Sequence, residues 1–265
     1  SGHAVGFAAQ FNRLDKSADL NEVVPALGVS ALPATGGLAE ASVKDYSFDV
    51  ERPRKRRLVS VQSMRTSASG RKSGNCYETE ISCDVENLTV LEKLRVGRLK
   101  MHFLSSRDAA GEESEPVVST LGSSIEGLRL GGVDATIVLD DEPLRYCGTR
   151  DQLAAFYRAQ TPAYRRAQSW RFGADPDAPD IAERRNCCKW SLVREIRLSG
   201  AETARQDISV DGYTIVWRGF GRIILGEMLV KGQERRLTMM RLAMGSDAAG
   251  DGSVGDGQSN GQLGT

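Results

Sequence analysis

Apolar and polar positions alternate with a period of two through much of the chain, the pattern of strands that turn one face to a core. The alternation is cleanest over residues 77–86, where Tyr77, Thr79, Ile81, Cys83 and Val85 form one face and Glu78, Glu80, Ser82, Asp84 and Glu86 an acidic other. Further strands are expected at 98–105, 117–120, 127–130 and 133–139, separated by Gly, Ser, Asp and Glu clusters. Trp190, Leu192, Ile196 and Leu198 share a face, with Arg194 on it, and Tyr213, Ile215 and Trp217 alternate with Thr214, Val216 and Arg218. Two apolar runs, 223–230 and 237–244, flank Lys231-Gly232-Gln233-Glu234 and predict a core hairpin whose two faces are both partly hydrophobic.

One helix stands out. Thr149 followed by Gln152 is a capping box, and Leu153, Phe156 and Tyr157 lie on one face of the turns after it. Thr161-Pro162 ends that helix, a second short piece is expected over 163–169, and the proline-dense segment 175–180 is a loop.

The fold class is therefore mainly β: two related antiparallel β-sandwich or barrel-like units with a short helical connection. The expected layout is an extended N-terminal arm at 1–46, a first β unit at 47–148, the connection and loop at 149–180, a second unit at 181–245 and a Gly-rich C-terminal arm at 246–265. An internal duplication is suggested by Arg98-Leu99-Lys100-Met101 and Arg236-Leu237-Thr238-Met239, each followed by an Asp-Ala-Ala-Gly-acid motif.

Composition narrows the function classes. Thirty-five basic and thirty-five acidic residues cancel, so no bulk field favours nucleic acid or an anionic membrane. The basic run Arg52 to Arg57 precedes the acidic strand, and charge pairing across neighbouring strands explains it more simply than a phosphate site. No apolar run reaches about 18 residues, so no transmembrane helix is expected. Five cysteines without a repeating spacing read as reduced thiols, which favours a cytoplasmic-type compartment, within a larger particle or not. Ser1-Gly2-His3 reads as a tag scar, which leaves His102 as the one histidine available for chemistry. Motifs for nucleotide, zinc or nucleophilic chemistry are absent, so no cofactor and no catalytic residue is expected.

Several weaker candidates remain. Asp140 and Asp141 at a strand end, and Glu227 inside an apolar strand, could supply paired carboxylates, as in a glycoside hydrolase, or bind a ligand. Trp190 and Trp217, with Trp170, could form a carbohydrate platform. Cys187 and Cys188, flanked by Arg184, Arg185 and Lys189, could include a reactive thiol. Asp247, Asp251 and Asp256 among glycines could wrap a hard cation. The overall expectation is a non-enzymatic structural or assembly protein that forms a homo-oligomer through sheet edges and terminal arms. A carbohydrate- or ligand-binding β module is the alternative.

Overall fold

A computed structural model describes residues 2–14, 19–33, 35–51, 55–108, 115–146, 149–167, 171–172, 187–245 and 248–259. The molecule is mostly strand, in two antiparallel sheets packed face to face. Strands are numbered in chain order. The first sheet runs β11 (Arg171–Phe172), β12 (Cys187–Ser191), β16 (Gly221–Lys231), β17 (Glu234–Met244), β18 (Ala248–Ser259), β1 (Gly2–Leu14) and β2 (Asp19–Ala31). A small hairpin of β14 (Ile208–Asp211) and β15 (Thr214–Trp217) pairs beside β16. The second sheet runs β13 (Val193–Ser199), β10 (Val133–Leu139), β9 (Leu128–Leu130), β6 (Leu94–Asp108), β5 (Cys76–Val90), β4 (Arg56–Ser73) and β3 (Gly37–Val50). Short strands β7 (Val117–Ser119) and β8 (Ser124–Glu126) pair with β6.

The expected core hairpin is β16 and β17, in register from Gly221↔Met244 to Lys231↔Glu234. Helix α2 (Arg150–Ala159) starts at the predicted capping box, and α1 (Glu142–Tyr146) and α3 (Pro162–Ala167) flank it. A one-turn helix, α4 (Glu202–Arg205), precedes β14. Leu144 of α1 and Leu153 of α2 join the core. Beside them the buried Arg235 donates to Glu115 Oε2 at 2.9 Å, which also accepts from the Arg150 amide at 2.7 Å.

The expected arms are sheet. Residues of β1 and β2 lie in the first sheet, His3 included, and β18 lies between β17 and β1 from Gly2↔Ser259 to Leu14↔Ala248. Glycine disfavours strands, but here it permits close approach. A Cβ on Gly257 would lie 2.6 Å from Met101 Cε of the opposite sheet, and one on Gly250 would overlap the Gln10 carbonyl.

One feature of the backbone explains the hydrophobic pattern. Each sheet is crossed by a transverse row at which the strands step out of phase. In the first sheet the row is Gly28, Gly6, Gly255, Met239 and Gly226; in the second it is Asp45, Gln62, Asn87, Gly97 and Gly127. The left-handed residues alternate along both: Gly28, Gly255 and Gly226 have φ of 58, 61 and 62°, and Asp45, Asn87 and Gly127 have 48, 50 and 63°. A left-handed residue puts the side chains before and after it on opposite faces, so the buried parity changes there. In β5 Ile81, Cys83 and Val85 are buried before Asn87, and Leu88 and Val90 after it. In β17 Leu237 and Met239 are buried up to the row, then Met240, Leu242 and Met244.

The hairpin's two apolar faces are thus one core face that changes phase. Its apolar runs face the interior.

Charge pairing across strands is also present. Arg57 meets Asp49 at 2.9 Å, Arg71 meets Glu78 at 2.8 Å, and Arg98 bridges to Asp84 and Glu86. Residues 52–54 of the basic run lie outside the described residues. The two sequence-similar segments sit on β6 and β17 in opposite sheets. They are not at equivalent positions: Arg98 follows its row at Gly97, whereas Arg236 precedes its row at Met239 by three residues. Among the described residues no helix is long and apolar enough to cross a membrane.

Candidate functional site

The chain crosses from the first sheet to the second at Leu192, between β12 and β13. The corner is held by the buried Ser191, whose hydroxyl donates to the Leu225 carbonyl at 2.7 Å and accepts from the Val193 amide at 2.9 Å. Leu192 itself donates its amide to the Gly226 carbonyl at 2.8 Å, and its carbonyl accepts from the Asp140 amide at 2.6 Å. The corner is therefore tied to the end of β10 and to the first transverse row.

Asp140 and Asp141 link β10 to α1. Asp140 Oδ1 accepts from the Glu142 amide at 2.9 Å, and Asp141 Oδ2 accepts from Arg145 Nε at 3.0 Å. Opposite them stands the turn Thr120-Leu121-Gly122-Ser123, closed by the Ser123 amide on the Thr120 carbonyl at 3.1 Å. Gly122 supplies φ of 94°, a value side chains disfavour. His102 anchors the turn: Nδ1 lies 2.8 Å from the Leu121 carbonyl, and its amide donates to Ser123 Oγ at 2.9 Å. Its Nε2 lies 3.0 Å from Glu80 Oε1.

Between these pieces is a cleft of about 120 Å³, lined by Thr120, Leu121, Gly122, Ser123, Leu139, Asp140, Asp141 and Leu192. Thr120 is 3 % exposed, and its hydroxyl has no hydrogen-bond partner among the described residues. Serine, histidine and glutamate lie close together, yet they form no relay. Ser123 Oγ meets the backbone of His102, not its ring.

The other sequence candidates lie elsewhere. Glu227 does not line the cleft. It is 7 % exposed, ion-paired to Lys189 and bonded to Arg241 Nε at 2.6 Å. Burial pushes its carboxyl up, but hydrogen bonds from Arg241 and Lys189 outweigh this and hold it below the usual range. Both oxygens have cationic partners, so the pairing of Glu227 with Asp140 or Asp141 across one scissile bond is not formed.

Trp190 is fully buried opposite Met228, in the core and not at a cleft mouth. Trp217 stacks on Phe220 with ring centroids 5.2 Å apart, so Trp190 and Trp217 form no shared platform among the described residues, and Trp170 lies outside them. Cys187 and Cys188 are buried. Burial, with the neighbouring Cys187, pushes the Cys188 thiol well up despite Arg150 and Arg235, which opposes a reactive thiolate. Lys189 points to Glu227, and Arg184 and Arg185 lie outside the described residues.

The described members of the cation site, Asp251 and Asp256, are not brought together either. Asp247 is outside the described residues, and Asp256 accepts from Arg236 through both oxygens, at 2.9 and 2.5 Å, and from Thr238 at 3.2 Å. Asp251 is five residues away on the same strand, roughly 16 Å at strand rise, beyond the reach of one ion. No group of three or more His, Cys, Asp or Glu among the described residues could hold a metal.

Sequence reasoning found the two aspartates but missed Thr120, the turn around Gly122 and the corner at Leu192. A Thr-x-Gly-Ser turn signal was present, but nothing local tied it to residues 140 and 192.

Fold and site together define a two-sheet antiparallel β-sandwich with a small acceptor-rich cleft at the crossover between sheets. The chain belongs to the family described as a domain of unknown function (DUF8256), which matches residues 2–231. That match takes in the whole second sheet and ends at the last residue of β16. No curated protein and no solved structure matches the chain.

Proposed function

We propose that this chain is a non-catalytic, ligand-binding β-sandwich whose site is the cleft at Leu192. The observation that carries the reading is Thr120: a hydroxyl on a residue 3 % exposed, lining a cleft and lacking a partner among the described residues. The hydroxyl is not enclosed by the chain, so it is open to a ligand or water group in the cleft. The walls also hold their shape unaided, since His102, Ser191 and Asp140 fix the three segments through bonds within the chain. Ligand sites are usually largely pre-formed in this way.

The test is a fragment screen by amide NMR. Binding is expected to move the amides of Gly122, Ser123 and Leu192 while those of β4 and β5 stay in place. If acids, amines, sugars and aromatics all leave these amides unmoved at about 10 mM, too weak to count as binding, the reading falls.

A second reading is a structural role, with self-association through sheet edges in a larger assembly. It is favoured by Val23 and Val29, 56 % and 48 % exposed on edge strand β2, and by Leu38, 64 % exposed on edge strand β3. It is opposed by Pro25 and the register shift on β2 and by the left-handed Asp45 on β3, features that blunt edges. Light scattering separates the readings: an oligomer that Val29→Lys dissociates supports assembly, and a monomer at high concentration ends it.

A further inference from the structure

We infer that the cleft takes a primary ammonium group on a short aliphatic stem, the chemistry shared by a lysine side chain and a free alkylamine. The inference rests on the cleft being a binding site and adds the class of ligand. Three of its lining residues carry acceptor oxygens. Asp140 uses Oδ1 for the Glu142 amide and Asp141 uses Oδ2 for Arg145, and the other oxygen of each meets no donor among the described residues. The Thr120 hydroxyl is the third. An ammonium group has three N–H donors and no acceptor, so it can satisfy all three, and no Lys or Arg lines the cleft to do so from within the chain.

The rest of the lining suits a stem. Leu139 and Leu192 contribute apolar wall, and Leu121 stands 62 % exposed at the edge, held there by the bond between its carbonyl and His102. Long cationic side chains bury their methylenes on such surfaces and keep the charge on polar groups. The volume, about 120 Å³, equals roughly four waters, close to the five heavy atoms of n-butylammonium. A calcium ion would want about six to eight oxygen ligands, more than two carboxylates and a hydroxyl supply.

The experiment titrates the full chain, followed by amide NMR, with n-butylammonium, n-butanol, calcium and N-acetyl-lysine methylamide. n-Butylammonium is expected to shift Gly122 and Ser123 saturably, and n-butanol is not. Asp140→Asn keeps an oxygen for the Glu142 amide while removing the charge, so the fold should hold and affinity for n-butylammonium should fall about ten-fold, as for loss of a charge-assisted bond. Leu121→Ala, a change at the rim alone, should weaken it a few-fold. Tighter binding of the lysine derivative than of n-butylammonium points to a protein lysine, and the reverse to a free amine; either supports the inference. n-Butanol binding as well as n-butylammonium, or calcium displacing it, overturns the ammonium assignment while leaving the cleft a binding site. A cleft unmoved by every probe overturns both.

Discussion

The transverse rows of the two sheets share a backbone and differ in sequence. Both place left-handed residues on alternate strands, but the first uses Gly28, Gly255 and Gly226, whereas the second includes Asp45 and Asn87. The difference follows what each position faces. A Cβ on Gly255 would lie 2.6 Å from Leu99 Cδ2, and one on Gly28 would lie 2.9 Å from Met64 Sδ. The first row thus looks into the opposite sheet, where there is no room for a side chain. Asn87 and Asp45 are exposed, and Asn87 donates to Gln62 at 2.5 Å across the row. In these rows an exposed left-handed position admits Asn and Asp, whereas one whose Cβ would press on the opposite sheet is taken by glycine.

Substitutions can break that rule. Gly255→Ala should be the most damaging, about 3 kcal/mol, from a left-handed alanine together with overpacking against Leu99. Urea denaturation measures it, and a cost like that of an exposed alanine would refute the inward-facing account. Asn87→Val keeps the position outward but adds β-branching at φ 50°, for about 1–2 kcal/mol. Asn87→Gly should fall within about 0.5 kcal/mol of the parent.

The residues just beyond each row sharpen the comparison. In the first sheet these are Glu227, Thr238 and Asp256, buried on the outer face under Lys189, Arg236 and Arg241. In the second they include Ser63 and Glu86, joined by a 2.7 Å hydrogen bond in a more exposed setting. Glu227→Gln should cost about 1–2 kcal/mol, less than a fully buried pair because Lys189 and Arg241 are a third to nearly half exposed. Glu227 is held below its ordinary range when folded, so its contribution is complete above the unfolded carboxyl value and is lost as pH falls through the lower folded one. The variant should therefore show a shallower loss of stability in acid, and an unchanged acid limb would contradict the ion-pair account. Glu86→Gln should have the smallest effect of the set, with no resolvable shift in melting temperature.

Much of the fold was legible because period two is a local signal. The strand at 77–86, the hairpin turn at Gly232 and the capping box at Thr149 are each contained within a few neighbouring residues. The phase changes were not legible. Ile223-Ile224-Leu225 and Met239-Met240 read as two greasy faces, since a sequence pattern does not show which backbone steps out of phase. The Gly-rich ends read as arms for a related reason: the glycines of β18 are explained by Gln10 and Met101, both remote in sequence. The cleft was half legible. Asp140 and Asp141 are conspicuous, but their neighbours come from a turn at 120–123 and a corner at 192 that only the packed sheets bring near.

The pairing of β1 with β18 bears on how the molecule is made. β1 lies between β2 and β18, a strand far later in the chain, so until β18 has been made the β18-facing edge of β1 has nothing to hydrogen-bond. Such long-separation contacts make folding slow, and a nascent chain stalled before Ala248 would leave β1 and β17 as two open edges able to recruit other chains. Yield in cells should therefore depend more on chaperone supply and translation rate than the finished sandwich's stability would suggest.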